Sequence, residues 1–287
     1  MTNEMLDEML RTTLRTMHIT EDPTERLDTD DLIDVLRHRE LLEALVEHPL
    51  DRQDLEAELD ISRATSHRFT RWLDDHGLAR RVDNRFTLTG KGEVLADAVV
   101  DFERSVRAGD RLAPLLDAIC EYHKEFVVRP FADAEVAVAT PDDPHRPVAR
   151  FVDLLDGSSS FRGFNTVHMV PPALVDLYGH LFDDVDTELI YLPAVVDNLL
   201  ETYPDQVADA VDRESLALRT RETLPYGLAI FDDRVGIGGY NEETGLIEVF
   251  ADSDSAVAMA WAEHVFESYR NHSEPLDVPP VSADESL

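Results

Sequence analysis

The sequence predicts a two-domain chain: an α+β N-terminal domain in which helices lead into a β-hairpin, then connecting helices, then a C-terminal α/β domain. Three observations carry this. At 287 residues the chain is long enough to bury two cores. Up to about residue 128 apolar residues recur by threes and fours, interrupted by one pair of short β-type runs, whereas from about 132 short β-type runs alternate with helical patterns. The cations, finally, gather in one place: residues 62–92 hold seven Arg or Lys against three acids, in a chain of formal net charge -34.

Taken in order, residues 1–18 predict a short amphipathic helix with Met5, Met9, Leu10, Leu14 and Met17 at helical spacing. After Pro23 and a charged run, the pattern from Asp31 places Leu32, Val35, Leu36, Leu42, Leu45 and Val46 on one face of a helix that stops at Pro49. Asp51 caps a short helix burying Leu55 and Leu59, and Ser62 caps a third that runs to Gly77. On that third helix Phe69 and Leu73 face inward, with the small Ser66 and Thr70 between them. Two β-type runs split by Asp83–Asn84 then read as a hairpin. A helix follows from Gly90 to Arg107, with Val94, Leu95, Ala98, Val99, Phe102 and Val106 at its apolar positions, and another follows Pro114.

Beyond residue 132, seven β-type runs alternate with four helical patterns, and the proline-rich acidic end from 272 reads as a disordered tail. The chain thus divides into an N-terminal helix and linker (1–30), a helical domain closing on the hairpin (31–92), connecting helices (93–130), an α/β domain (131–271) and the tail (272–287).

Sixty acids face 26 bases, and only Lys91 and Lys124 are lysines. Disorder does not account for this, because 43% of the residues are apolar and fall in periodic runs. A cationic partner is a second candidate cause. The acids are spread over almost every segment, which points to adaptation to a salt-rich cytosol, as in proteins of extreme halophiles. A lone cysteine, Cys120, excludes an intramolecular disulfide, and the N-terminus has no basic segment plus apolar core. With no long apolar run either, a cytoplasmic protein is expected.

Two helices joined by a tight turn, the second rich in Arg, His, Ser and Thr, followed by a basic hairpin, have the layout of a winged helix-turn-helix. A helix fits the major groove, and arginine pairs bidentately with guanine. Arg63, Thr65, His67 and Arg68 are therefore assigned to bases or nearby phosphates, and Arg71, Arg81, Arg85 and Lys91 to backbone phosphates.

The segment from Asp54 to Gly92 resembles the winged-helix domain of MarR-like and ArsR-like transcriptional regulators. The matching positions are Ser62, Thr65, Arg68, Leu73, Gly77, Leu78, Leu88, Thr89 and Gly92, while Ser66 and Thr70 are more polar than the family pattern. Residues 132–270, through phrases such as SSFRGFNTVHMVPP and YGLAIFDDRVGIGGY, resemble the methanogenesis-regulatory-type effector domain related to TrmB-like regulators. That resemblance implies a phospholipase D-like α/β fold and a ligand-responsive module that alters binding to promoter DNA.

Phospholipase D-type catalysis needs a His-x-Lys pair, which the two lysines do not form, so a non-catalytic domain is expected. The GIGGYN phrase lacks dinucleotide-binding spacing, and a hairpin turn accounts for its glycines. Ser159 and Arg162, in the phrase DGSSSFRG, suit an anionic or hydroxylated effector, and a polar turn entering a strand accounts for them as well. Asn165, His168, Arg219, Arg221 and Tyr226 lie near predicted strand ends, where α/β ligand sites form, although core hydrogen bonding explains each equally well. Cys120 and His123, three apart, are too few for a metal site, and neither metal nor cofactor is expected. The apolar stripe from Val94 to Val106 predicts a homodimer. The alternative to DNA binding is a winged helix that docks on a protein of the transcription machinery.

Overall fold

The computed structural model of the chain describes residues 28–119, 126–166, 185–241 and 244–276. The helix expected over 1–18, the pattern near 171–182, Cys120, His123, Lys124 and His168 lie outside them. The described residues divide into two compact units, one within 18–107 and the other within 108–287.

In the unit of 18–107, the helix expected from Asp31 to Pro49 is two helices, α1 (Thr29–Arg37) and α2 (Arg39–Glu47). They break at His38, whose imidazole stacks on Trp72 with ring centroids 4.0 Å apart. The same indole donates its Nε1–H to Asp34, so a tertiary contact interrupts a run that local spacing reads as continuous. Leu32, Leu36 and Val46, expected in the core, are exposed in consequence, and α1 buries no residue.

Next come α3 (Arg52–Glu58) and α4 (Arg63–His76), joined by the turn 59–62. Asp51 starts α3 with a reciprocal capping box to Asp54. Ser62 Oγ accepts from the Thr65 amide to start α4, and Gly77, at φ 64°, ends it in the left-handed region. The hairpin of β1 (Ala79–Val82) and β2 (Arg85–Leu88) turns through Asp83 and Asn84. Both turn residues have positive φ, which gives the turn the hand that matches strand twist. Leu41, Leu42, Leu55, Leu73, Leu78 and Phe86 form the core under these elements. The polar Ser66 and Thr70 are fully buried and hydrogen-bonded, so they add specific contacts where the sequence suggests looser packing. Helix α5 (Gly90–Arg111) then runs out of this unit into the next.

The other unit is built on an eight-stranded sheet of β3 (Glu135–Val138), β4 (Ser160–Asn165), β5 (Asp186–Tyr191), β6 (Leu216–Thr220), β7 (Gly227–Ile230), β8 (Val235–Tyr240), β9 (Ile247–Ser253) and β10 (Glu274–Pro275). Its order is β10-β6-β5-β4-β7-β8-β9-β3. Strands β4, β5 and β6 are mutually parallel, and every other pairing is antiparallel. On one face α6 (Ala113–Ala118), the 3₁₀ turn Arg129–Phe131 and α10 (Ala256–Asn271) bury Leu115, Phe131, Phe164, Ile237 and Phe266. On the other, α7 (Arg146–Asp156), α8 (Pro193–Thr202) and α9 (Pro204–Asp212) bury Leu155, Phe161, Leu189, Val207 and Phe250. Pro204 divides α8 from α9, where the sequence reads as one helix.

Two readings from sequence are corrected. The glycines of GIGGYN lie within strand β8 and not in a turn. Their size answers to close neighbours: a Cβ on Gly236 would stand 2.0 Å from Phe250 Cζ, and one on Gly239 would stand 2.6 Å from Ala118 Cβ. Residues 273–275, expected within the tail, join the sheet instead: Glu274 and Pro275 pair with β6, and Arg219 donates to Ser273.

One buried ionic group ties α7 to the sheet. Asp252, fully buried on β9, accepts two hydrogen bonds of 2.8 Å from Arg150 and one of 2.7 Å from Arg234. Glu135 stands 3.1 Å from the Arg150 guanidinium.

Candidate nucleic-acid interface

Helix α4 has a buried arc of Ser66, Thr70, Trp72 and Leu73, which turns Arg63, His67, Arg68 and Arg71 outward. These four residues and Ala64 line one shallow surface depression. Among the described residues, Arg63, Arg68 and Arg71 have no ion pair or hydrogen bond, and neither does Arg80 on the hairpin. In a chain with more than twice as many acids as bases, guanidiniums left without carboxylates on one face are the feature that needs a function.

The remaining residues assigned from sequence, Thr65 and three cations, are already engaged. Thr65 sits at the start of α4 with its Oγ1 3.0 Å from Ser62 Oγ. Arg81 donates to Asn84 across the hairpin turn, and its guanidinium lies 5.7 Å from the Phe86 ring centroid. Arg85 donates to the Pro49 carbonyl at 2.9 Å and pairs with Asp54 at 3.4 Å. Lys91 donates from Nζ to the His76 carbonyl at 3.0 Å, closing the C-terminal end of α4. Arg85 and Lys91 therefore brace the hairpin and α4, a role that their positive charge alone does not reveal.

Two further basic residues of this unit carried no assignment from sequence. Arg80 extends from β1 without a partner among the described residues. Arg52, on α3, donates from Nε to Thr70 Oγ1 at 3.3 Å. A basic residue in a different helix carries no signal of its own in the sequence.

In the α/β unit, the effector candidates do not converge. Ser159, at the start of β4, joins Ser160 in donating backbone and hydroxyl hydrogens to the Asp232 carboxylate at 2.7–3.0 Å. These donors, the Ser159 amide foremost, hold the Asp232 pKa down at about 2. Because folding lowers this pKa, the clamp stabilises the fold above the ordinary carboxylate range of about 4, and its contribution is lost as pH falls toward 2. Denaturant midpoints measured from pH 4 down to 2 are expected to fall more steeply for the native chain than for Asp232→Asn, and equal slopes would refute the clamp.

Arg162 forms a two-pronged pair with Glu263 and lies 5.8 Å from the Phe266 ring centroid. Arg219 is occupied by Ser273, Arg221 lies over the Tyr269 ring at 4.2 Å, and Tyr226 packs in the core against Phe126 and Phe164. Asn165 stands apart from these. It ends β4 where the parallel strands meet antiparallel β7, and its Oδ1 is buried without a hydrogen-bond partner among the described residues. Nearby, burial pushes the Tyr240 hydroxyl up to about 12 and also raises Tyr191, so both remain protonated. No group of His, Cys, Asp and Glu suited to a metal ion occurs among the described residues, and no helix among them is long and apolar enough to cross a membrane.

Comparison with known proteins adds the following. Residues 144–272 match the family model of the methanogenesis regulatory protein FilR1, middle domain, and residues 26–111 match that of the HVO_A0261 N-terminal domain. Comparison with curated proteins yields no match. Among solved structures the chain is similar to TrmBL2, an archaeal chromatin protein with a novel mode of DNA binding, at 15% identity over 87% of this chain and 100% of that one, with a TM-score of 0.40. It is also similar to Nuc, a phospholipase D family member from Salmonella typhimurium, at 17% identity over 50% of this chain and 98% of that one, TM-score 0.35. NucT from Helicobacter pylori, at 12% identity, has the same coverage and a TM-score of 0.37. The C-terminal part of the chain thus carries a domain of regulatory-protein type.

Proposed function

We propose that the chain is a sequence-specific DNA-binding transcriptional regulator. Residues 31–92 act as a winged helix-turn-helix: α4 enters the major groove, and the β1–β2 hairpin is the wing. The observation that carries this reading is the outward set Arg63, His67, Arg68 and Arg71 on one helix, without a carboxylate partner among the described residues in a chain of net charge -34. Arg63, His67 and Arg68 are assigned to base edges and Arg71 and Arg80 to phosphates. Thr65, Arg81, Arg85 and Lys91 hold the surface in shape and reach phosphates only from where their internal bonds leave them. The matched regulatory domain and the DNA-binding TrmBL2 agree in type with this reading.

The unit that binds promoters is a homodimer. Val94, Phe102 and Val106 are 68, 54 and 46% exposed along α5, an apolar ridge that a second copy would cover. Phe102→Glu is expected to shift the chain to monomers in light scattering. An unchanged mass would remove α5 from the interface. The α/β unit senses a small molecule at the C-terminal edge of β4–β6, beside Asn165, where strand order reverses. The acidic surface keeps the chain soluble in a salt-rich cytoplasm.

Genome-wide recovery of DNA bound to the tagged chain in its native salt tests the reading. Discrete promoter peaks support it, and the neighbouring genes indicate which metabolites to try. Recovery indistinguishable from an Arg68→Ala, Arg71→Ala control would shift the winged helix to a protein partner.

A further inference from the structure

We propose that Arg52, on α3, is a further phosphate-binding residue of the cationic face, and that Thr70 is the residue that positions it. This rests on the DNA-binding reading above. The starting point is the buried arc of α4, where two hydroxyls replace the apolar side chains that a helix–helix contact would ordinarily use.

The two hydroxyls do different work. Ser66 has two acceptors within reach, Glu56 Oε1 at 2.8 Å and the Arg63 carbonyl of its own helix at 3.2 Å, and the shorter bond, to the carboxylate, joins α3 to α4. Thr70 spends its hydrogen on the His67 carbonyl at 3.2 Å, inside its own helix, which leaves its oxygen as an acceptor. Arg52 Nε fills that acceptor at 3.3 Å. A guanidinium has five N–H donors, and the bond from Nε leaves Nη1 and Nη2 without a partner among the described residues. Thr70 lies between His67 and Arg71 in the helix sequence and is separated from Arg63 by two helical turns, so the held guanidinium stands at the border of the outward arc.

No ion pair joins Arg52 to an acid among the described residues, and the acids of its own helix are engaged elsewhere: Glu56, one turn along α3, accepts from Ser66. Asp54 pairs with Arg85 at 3.4 Å and accepts from the Asp51 amide, and Asp51 accepts from the Gln53 and Asp54 amides, which lower its pKa. Neither carboxylate forms an ion pair with Arg52, although both stand on the same short helix start. Arg52 is half-buried, and the bond from its Nε to Thr70 restrains the guanidinium before any ligand arrives, so less side-chain entropy is lost when a phosphate binds.

The test is the salt dependence of affinity for the strongest duplex recovered by selection from a randomised DNA pool. A lost phosphate contact lowers the slope of log Kobs against log salt by about 0.9. Arg52→Met, which keeps the stem and removes the cation, is expected to lower that slope by about this amount per subunit, with the same base preferences and an unchanged Tm. Thr70→Val, which removes the hydroxyl and with it both the acceptor for Arg52 and the bond to the His67 carbonyl, is expected to reproduce part of the loss. In that background Arg52→Met should cost less than it does alone, whereas Thr70→Ser should restore the native slope. An unchanged slope for Arg52→Met, or a loss of affinity that tracks a lower Tm at native slope, overturns the assignment while leaving the DNA-binding reading in place. Selection that recovers no duplex for the native chain overturns both.

Discussion

Replacing Arg68 and Arg71 together with alanine is expected to abolish promoter binding without unfolding the protein. Both side chains are exposed, line the same depression and have no internal partner among the described residues, so their removal leaves no buried group unsatisfied. Loss of a base-reading arginine costs about 1–3 kcal/mol, and a lost phosphate contact adds an electrostatic cost that salt reduces. Together they make a decrease of roughly 30-fold or more for each half-site, squared in a dimer that needs both. Fluorescence anisotropy with a recovered promoter, beside circular dichroism melts, reads both quantities. An affinity within a few-fold of the native value would remove α4 from the interface.

The largest stability effect should come from the opposite kind of residue. Asp252 is fully buried and receives three hydrogen bonds from Arg150 and Arg234, whose side chains are only 28 and 18% exposed. Asp252→Ala leaves two guanidiniums facing each other in a site that has lost its counter-charge. Removing one partner of a buried pair typically costs about 3–5 kcal/mol. Partial hydration of the arginines and the remaining Glu135 place this case toward the lower end. Denaturant unfolding of the full chain should show the loss in the transition of the α/β unit. Asp252→Asn, which keeps an acceptor, should lose less, and a midpoint unchanged by Asp252→Ala would show that the group contributes nothing net.

Features written in consecutive residues were legible from the sequence. Ser62 and Gly77 bound α4 at the residues expected, because a capping hydroxyl and a left-handed glycine act within one helical turn. Asp83 and Asn84 form the expected turn for the same reason. Features that depend on distant partners were not legible. The break at His38 answers to Trp72, more than thirty residues away in sequence, and Gly236 of β8 answers to the ring of Phe250. At the candidate site the sequence located the cationic helix from charge, yet charge does not distinguish Arg68, which is free, from Arg85, which is tied to Pro49 and Asp54. It also gave no sign that Arg52 joins that face, because the joining atom is a hydroxyl on another helix.

The bond from Lys91 to the His76 carbonyl has a practical consequence. With only two lysines in the chain, Lys91 and Lys124, the surface offers almost no side-chain amines to acylating reagents. Lys91 stands exposed where α4 ends and the helix after the hairpin begins, which makes it a natural single-site reporter. The yield of acylated Lys91, read by mass spectrometry with and without duplex, would show whether DNA shields this corner of the protein, without any introduced label.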